Sequence, residues 1–303
     1  MSATKKPQLN LLTADDWQDY ELLDTGNGSK LERYGPYRLV RPEPEAIWKP
    51  SFGKKEWEKA HGVFEPTGEE HGGHWKAGAE LPARWGIEYK GLRMWVQPGA
   101  SRHLGVFPEQ AGQWDWIHEQ IRAANRPLTV LNLFGYTGLA TLAAARAGAQ
   151  VTHVDASKKT IAWAKENQAF SNLVERPIRW IVDDALKFVQ REQRRGVQYD
   201  GLILDPPKFG RGPKGEVWEF YKLLPTLLQD CRQILSPNPQ FVVLTAYAVK
   251  ASALTLYYGI QDMMSGFRGH PSAGEVTLQD KGAGRLLSTA VFGRWEAAPS
   301  RRP

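Results

Sequence analysis

The sequence predicts an α/β fold: a mostly parallel, doubly wound sheet with helices on both faces, preceded by a smaller β-rich domain. Three observations predict it. Between residues 129 and 246 short apolar runs alternate with helical stretches, the pattern that parallel strands and crossover helices produce. Each run is apolar at successive positions, as a strand buried on both faces must be. Before residue 95 the chain changes character, to short β-like runs separated by Pro and Gly and punctuated by aromatic residues.

Trp17, Tyr20, Tyr34, Tyr37, Trp48, Trp57, Trp75 and Trp85 mark the first region, residues 1–94, which is assigned as a small β-rich domain; residues 95–303 form the second. Residues 31–41 and 87–96 alternate well enough to be strands, whereas 49–73 is turn-rich and expected to be irregular. Aromatic residues beside Arg33, Arg38 and Arg41 offer stacking faces and phosphate contacts, or simply the core and rim of a small sheet. His71-Gly-Gly-His74, after Glu69 and Glu70, resembles a ligand pair. Two glycines leave both rings without a rigid support, however, and no cysteine completes a tetrahedral set, so no metal is assigned.

In the second domain Thr129–Leu133 is a strand, Gly135 and Gly138 let the chain turn tightly, and Leu139–Ala147 is an Ala-rich helix stopped by Gly148. Strand, glycine loop and helix together bring backbone N–H groups and the positive end of a helix dipole to one place, where an anion can sit. That anion is a pyrophosphate in a dinucleotide enzyme and the methionine carboxylate in a methyltransferase. The loop has two glycines instead of the three of G-x-G-x-x-G, and Tyr136 would crowd a pyrophosphate.

A second strand, residues 150–154, ends at Asp155, whose carboxylate suits both hydroxyls of a ribose in either cofactor. Ser157 is the expected N-cap of a helix running to Phe170. A third strand, Ile178–Val182, closes on Asp183, Asp184 and Ala185, where a carboxylate can accept from an adenine amino group beside a free backbone N–H. An amphipathic helix over 186–195 follows, and a fourth strand, Gly201–Leu204, delivers Asp205, Pro206 and Pro207. A helix over 221–235, a fifth strand (Phe241–Ala246) and a helix over 250–265 continue the alternation.

In the strand order 3-2-1-4-5, strands one and four are neighbours and the crevice opens at their carboxyl ends, which puts Gly135 beside Asp205. Methyl transfer from a sulfonium is an in-line displacement, so the acceptor lone pair must be held about 3 Å from the methyl carbon and aligned with the breaking bond. Asp205 or the backbone carbonyls after it can accept from an acceptor amino group, two prolines stiffen that lip, and Phe209 offers a base a stacking face. Lys208, Arg211 and Lys214 form a basic, mobile loop that either holds a phosphate backbone or is a solvated surface. Alone, Asp-Pro-Pro is a turn and a strand-terminal Asp is a helix N-cap. In this order and combination they describe a nucleoside-cofactor site, with S-adenosylmethionine preferred over a nicotinamide.

Asn132-Leu-Phe-Gly-Tyr-Thr-Gly138, Val154-Asp-Ala-Ser157, Asp183-Asp-Ala185 and Leu204-Asp-Pro-Pro-Lys-Phe209 resemble class I methyltransferases grouped with the bacterial large-ribosomal-subunit RNA methyltransferases. The likeness runs over about residues 90 to 295. It implies a Rossmann-like, seven-stranded sheet whose last strand, 285–295 here, is antiparallel. It also implies S-adenosylmethionine held by Asn132, Phe134, Gly135, Tyr136, Thr137, Gly138, Asp155, Ala156, Ser157, Asp183, Asp184 and Ala185. His103-Leu-Gly-Val-Phe-Pro-Glu-Gln110 is similar to the family's segment before the cofactor domain, which adds Phe107 and Gln110.

Two departures matter. Cytosine C5 methylation needs a thiolate that adds to the ring, and the one cysteine, Cys231, falls within a helix far from the Asp-Pro-Pro stretch. It reads as a small core residue. Nitrogen or oxygen acceptors are therefore expected. The small N-terminal RNA-binding module of many relatives is not evident.

Net charge of +6 suits an anionic partner such as RNA, and the resemblance implies ribosomal RNA. The 303 residues, 42% hydrophobic, suffice for a sizeable core. No run reaches the roughly 18 to 20 apolar residues of a membrane span, residues 1–10 lack a signal-peptide core, and a single cysteine suits a reducing compartment, so a cytoplasmic location is expected. The competing functions are a nicotinamide-dependent oxidoreductase and a non-catalytic RNA-binding or assembly factor that retains the cofactor fold.

Overall fold

The structure, a computed structural model, describes residues 6–67, 72–78 and 80–299. In chain order it begins with β1 (Leu9–Thr13), followed by β2 (Tyr20–Gly26), β3 (Ser29–Tyr34), β4 (Tyr37–Pro42), a short α1 (Lys54–Trp57), β5 (Gly62–Pro66), β6 (Gly73–Ala77), β7 (Trp85–Tyr89) and β8 (Leu92–Val96). A 3-10 turn, Pro108–Gln110, leads into α2 (Ala111–Ala123). Then come β9 (Thr129–Leu133), α3 (Leu139–Ala147), β10 (Gln150–Asp155), α4 (Lys158–Phe170), β11 (Ile178–Val182), α5 (Ala185–Arg194) and β12 (Gly201–Leu204). The remainder is β13 (Phe209–Arg211), β14 (Val217–Glu219), α6 (Phe220–Gln233), β15 (Phe241–Ala246), α7 (Ala253–Met263), β16 (Gly269–Gln279) and β17 (Leu286–Ala297).

The contacts group the chain into two units. One gathers the chain up to Leu12, Gln113–Val276 and the chain from Ala290; the other gathers Thr13–Gly112 and Thr277–Thr289. The sequence places a single cut after residue 94, whereas this grouping carries the 3-10 turn and part of a late strand pair with the second unit.

The large sheet runs β1-β16-β17-β15-β12-β9-β10-β11. Its β11-β10-β9-β12-β15 portion is parallel and reproduces the expected 3-2-1-4-5 order, and β17 returns antiparallel against β15. The sheet has eight strands instead of seven, because β1 adds to its edge beside β16. One sheet face packs Val242, Leu244 and Ala246 against α5, α6 and α7, around Phe188, Leu227 and Cys231. The other packs Val130, Ile203 and Val243 against Ile117 of α2 and the alanines of α3. Near-zero exposure on both faces of β9, β12 and β15 explains why these strands are continuously apolar in sequence.

The second unit holds a five-stranded sheet, β2-β3-β4-β5-β6, and the β7-β8 hairpin. Residues 31–41 are two strands joined at Gly35, not one, and 87–96 turns at Lys90 and Gly91, both left-handed. The stretch 49–73, expected to be irregular, contains α1 and β5. The aromatic residues are largely core: Trp17 stacks on Tyr89 with centroids 4.6 Å apart, and Tyr20 meets Tyr34 edge-on at 4.9 Å. Arg41 is buried on Glu32 by two bonds of 2.6 and 2.7 Å, while Arg33 pairs with Glu21 and Arg38 with Glu56. Burial pushes the Glu32 carboxyl up, but Arg41 and Lys30 outweigh it and hold the carboxyl at about 2. Each of these arginines is thus paired with a carboxylate of its own unit.

Candidate active site

The carboxyl ends of β9, β10, β11 and β12 lie side by side along one edge of the sheet, the edge at which a doubly wound sheet places its ligand. After β9 the chain makes a loop in which Phe134, Tyr136 and Gly138 all adopt left-handed φ, of 59°, 49° and 85°. Two of the three are not glycine, an arrangement that costs energy and that the surroundings must hold in place. Gly135 N–H donates to Val154 O at 3.1 Å, Gly138 N–H to Gly135 O at 2.9 Å, and Tyr136 N–H to the Asp155 carboxylate at 2.9 Å.

Gly135 itself is not left-handed. It is required by close approach, since a Cβ there would lie 2.3 Å from Cε1 of His153. Gly138 heads α3 and brings no side chain to its first amides, which leaves that helix end open to an anion.

Beneath the loop lies a buried relay. Asn132 Nδ2 donates to Thr141 Oγ1 at 2.8 Å, and the same hydroxyl shares a hydrogen bond with His153 Nδ1, 2.9 Å away. His153 Nε2, on the far side of the ring, finds no hydrogen-bond partner among the described residues. Burial lowers the His153 pKa to about 3, so the ring is neutral. Asn132 therefore sits under the loop with its side chain buried. Thr137 is buried too, its carbonyl accepting from Asn167 at 3.0 Å.

Asp155 accepts from Tyr136 N–H, from Ser157 N–H at 2.8 Å and from the Thr160 hydroxyl at 2.7 Å. Ser157 caps α4, as expected, with Ala156 between them. On the next strand Asp183 N–H donates to Asp155 O, and the Asp183 carboxylate pairs with Arg191. Asp184 caps α5 through the Lys187 amide at 3.0 Å, which places Ala185 in the first turn. Asp183 is thus tied to its own helix.

Asp205 N–H donates to Leu133 O at 3.4 Å, which sets the Asp205-Pro206-Pro207 lip directly beside the glycine loop. Pro206 is buried; Pro207, Lys208 and Phe209 are exposed, Phe209 by 54%. The basic stretch expected as a mobile loop is instead an ordered antiparallel ribbon, β13–β14, bearing Lys208, Arg211 and Lys214 on its exposed surface. Glu216 near its turn accepts from the Lys214 amide and pairs with Lys187 at 2.6 Å; these bonds, led by Lys187, lower the Glu216 carboxyl to about 2.

Trp218 and Glu216 went unrecognised in the sequence because a lone Trp or Glu in a Gly-rich stretch carries no periodic signal. Their partners, Phe134 and Lys187, are distant in the chain. Phe107 and Gln110 lie in the second unit, around the 3-10 turn, with Gln110 buried and Phe107 packed against His103 at 5.1 Å.

Cys231 is fully buried among apolar residues of α6, and burial pushes its thiol up. His74 pairs with Glu65 across β5 and β6; His71, Glu69 and Glu70 lie outside the described residues. Among the described residues no helix is long and apolar enough to cross a membrane.

The residues along this edge suit a sulfonium nucleoside by their donor set. They offer strand-end carboxylates for hydroxyl and amino groups, helix-end amides for a carboxylate, and a loop whose Gly135 could not carry a Cβ. The family model for S-adenosylmethionine-dependent methyltransferases matches residues 64–252. A crystal structure of an S-adenosylmethionine-dependent methyltransferase from Agrobacterium tumefaciens is 46% identical, with a TM-score of 0.92 and 97% of each chain covered. A chain solved in complex with S-adenosylhomocysteine, 22% identical, aligns with a TM-score of 0.69 over 93% of this chain and 76% of that one, a likeness of fold. Among curated proteins, the ribosomal RNA large subunit methyltransferase K/L of Shewanella sp. (strain ANA-3) is 37% identical over 116 residues, 37% of this chain and 16% of that protein. The chain thus spans about a sixth of the length of that curated relative. These likenesses decide against the nicotinamide alternative.

Proposed function

The chain belongs to the S-adenosylmethionine-dependent methyltransferase family, and from that premise we propose that its methyl acceptor is a nitrogen or oxygen of RNA, ribosomal RNA first. The observation that carries this reading is the ribbon leading out of the acceptor lip, which displays an exposed Phe209 with Lys208, Arg211 and Lys214 around it. An aromatic face for a base beside cations for phosphates is the usual composition of a single-strand binding surface. The net charge of +6 and the name of the Shewanella relative support the same substrate class.

Bound in the crevice, S-adenosylmethionine supplies an electrophilic methyl carbon. The chain's own residues do the rest. Asp155 takes ribose hydroxyls, Asp184 and the Ala185 amide take the adenine edge, and the Gly135–Gly138 loop with the start of α3 takes the methionine carboxylate. Asp205 accepts a hydrogen bond from the acceptor's N–H or O–H and so fixes the direction of its lone pair. Pro206 and Pro207 keep that lip from yielding. A duplex acceptor must first be unstacked at a cost of a few kcal/mol, which phosphate contacts from the ribbon offset. The burial of Cys231 in α6 favours acceptors that need no covalent adduct.

The test is isotope-labelled S-adenosylmethionine incubated with RNA from cells lacking the protein, followed by nucleoside mass spectrometry. Label in an N- or O-methylated nucleoside is expected. Label confined to protein, or absent, contradicts the RNA reading, and label in 5-methylcytosine contradicts the acceptor class.

A further inference from the structure

The β13–β14 ribbon leaves the sheet directly after the Asp205-Pro206-Pro207 lip, and its register sorts its residues onto two faces. Phe209, Arg211, Val217 and Glu219 point outward and are exposed; Gly210 and Trp218, paired across the ribbon, face the body of the unit. Trp218 is 3% exposed. Its ring lies 4.9 Å from that of Phe134 in the cofactor loop, and its Nε1–H donates to Pro207 O at 2.7 Å. A Cβ on Gly210 would stand 3.2 Å from Pro207, so the ribbon backbone lies close on the proline lip as well. Near the ribbon's turn, Glu216 reaches Lys187, whose amide binds Asp184. One indole therefore touches both the loop expected to hold the methionine end and the lip expected to hold the acceptor.

We propose that Trp218 is a positioning residue for methyl transfer, a clamp that sets the acceptor lip at a fixed distance from the cofactor loop. In-line displacement is sensitive to that distance, and a misplacement of about 1 Å can cost roughly 100-fold in rate. The indole also packs against the ring of Phe134, whose backbone is left-handed. Its role is exerted through Pro207 and Phe134, the residues its N–H and ring meet. This role rests on the methyltransferase assignment and holds for any acceptor.

Trp218→Phe keeps a ring against Phe134 and deletes the N–H to Pro207. Its expected signature is a kcat lowered at least about tenfold, with S-adenosylhomocysteine affinity within about twofold of wild type and Tm nearly unchanged. An unchanged kcat, or a parallel loss of affinity, Tm and kcat, overturns the proposal. A second measurement uses wild-type protein labelled with 15N at its indoles. The Trp218 indole N–H, assigned by its loss in W218F or W218Y, should exchange slowly and shift when S-adenosylhomocysteine is added. Rapid exchange or no shift overturns the clamp. If wild-type protein labels no RNA, the acceptor reading fails while the indole measurement still decides the role of Trp218.

Discussion

Asp155 accepts three hydrogen bonds from its own chain, and a carboxylate has roughly four lone-pair directions. The sequence suggests a side chain waiting for two ribose hydroxyls; the structure shows one that also pins Tyr136 and Ser157, and so shapes the loop it adjoins. Asp155→Ala should weaken S-adenosylhomocysteine binding by about 10- to 100-fold, the value of one bond to a charged group, as read by calorimetry; unchanged affinity would remove Asp155 from the site. Asp205→Ala should instead lower kcat with little effect on that affinity, and equal loss in both would assign Asp205 to the cofactor.

His153 yields a pH prediction. Burial lowers its pKa to about 3, below the ordinary value of 6.5. Above the ordinary value the folded and unfolded chains are both neutral there. As pH falls from the ordinary value toward the folded one, the unfolded chain takes up a proton that the folded chain refuses, so stability is lost at up to about 1.4 kcal/mol per pH unit. Urea unfolding at pH 7 and pH 5 should show a steeper loss in wild type than in His153→Gln; parallel losses contradict this. Gly135 was legible in the sequence for an incomplete reason. Its place in the loop follows from the motif, but the steric demand comes from the His153 ring, which only the packed structure reveals.

The elements that read best were strands bounded by turn signals and buried on both faces, such as Gly201–Leu204 and Phe241–Ala246, because their surroundings leave little but apolar residues. The ribbon read worst. Its strands are three residues each, too short for alternation to register, and its Gly, Pro and Lys content is that of a loop. The stretch 49–73 hid β5 for a related reason, since that strand ends in Pro66 among turn residues. An ordered ribbon makes a sharper prediction than a mobile loop. Replacing Lys208, Arg211 and Lys214 together by Ala should reduce the slope of log affinity for single-stranded RNA against log salt by about 2, given roughly 0.7 per phosphate contact. Cofactor affinity should not change, and an unaltered salt slope would reassign these side chains to solvent.

For the molecule as a whole, the strand order 3-2-1-4-5 followed from sequence, together with the crevice it creates. The eighth strand did not, because β1 lies more than 250 residues from its partner β16 and nothing in a short run such as Leu9–Thr13 names its neighbour. The two contact units interleave along the chain for the same reason: returning segments are invisible to a reading made in chain order. The central claim is that strand-end carboxylates and loop amides at the carboxyl edge of this sheet hold a sulfonium nucleoside against the Asp205-Pro206-Pro207 lip. A crystal structure with S-adenosylhomocysteine tests it most directly. The account predicts the ribose on Asp155, the adenine at Asp184 and Ala185, and the sulfur facing Asp205; a nucleoside bound elsewhere, or a crevice that stays closed by its own side chains at saturating ligand, would contradict it.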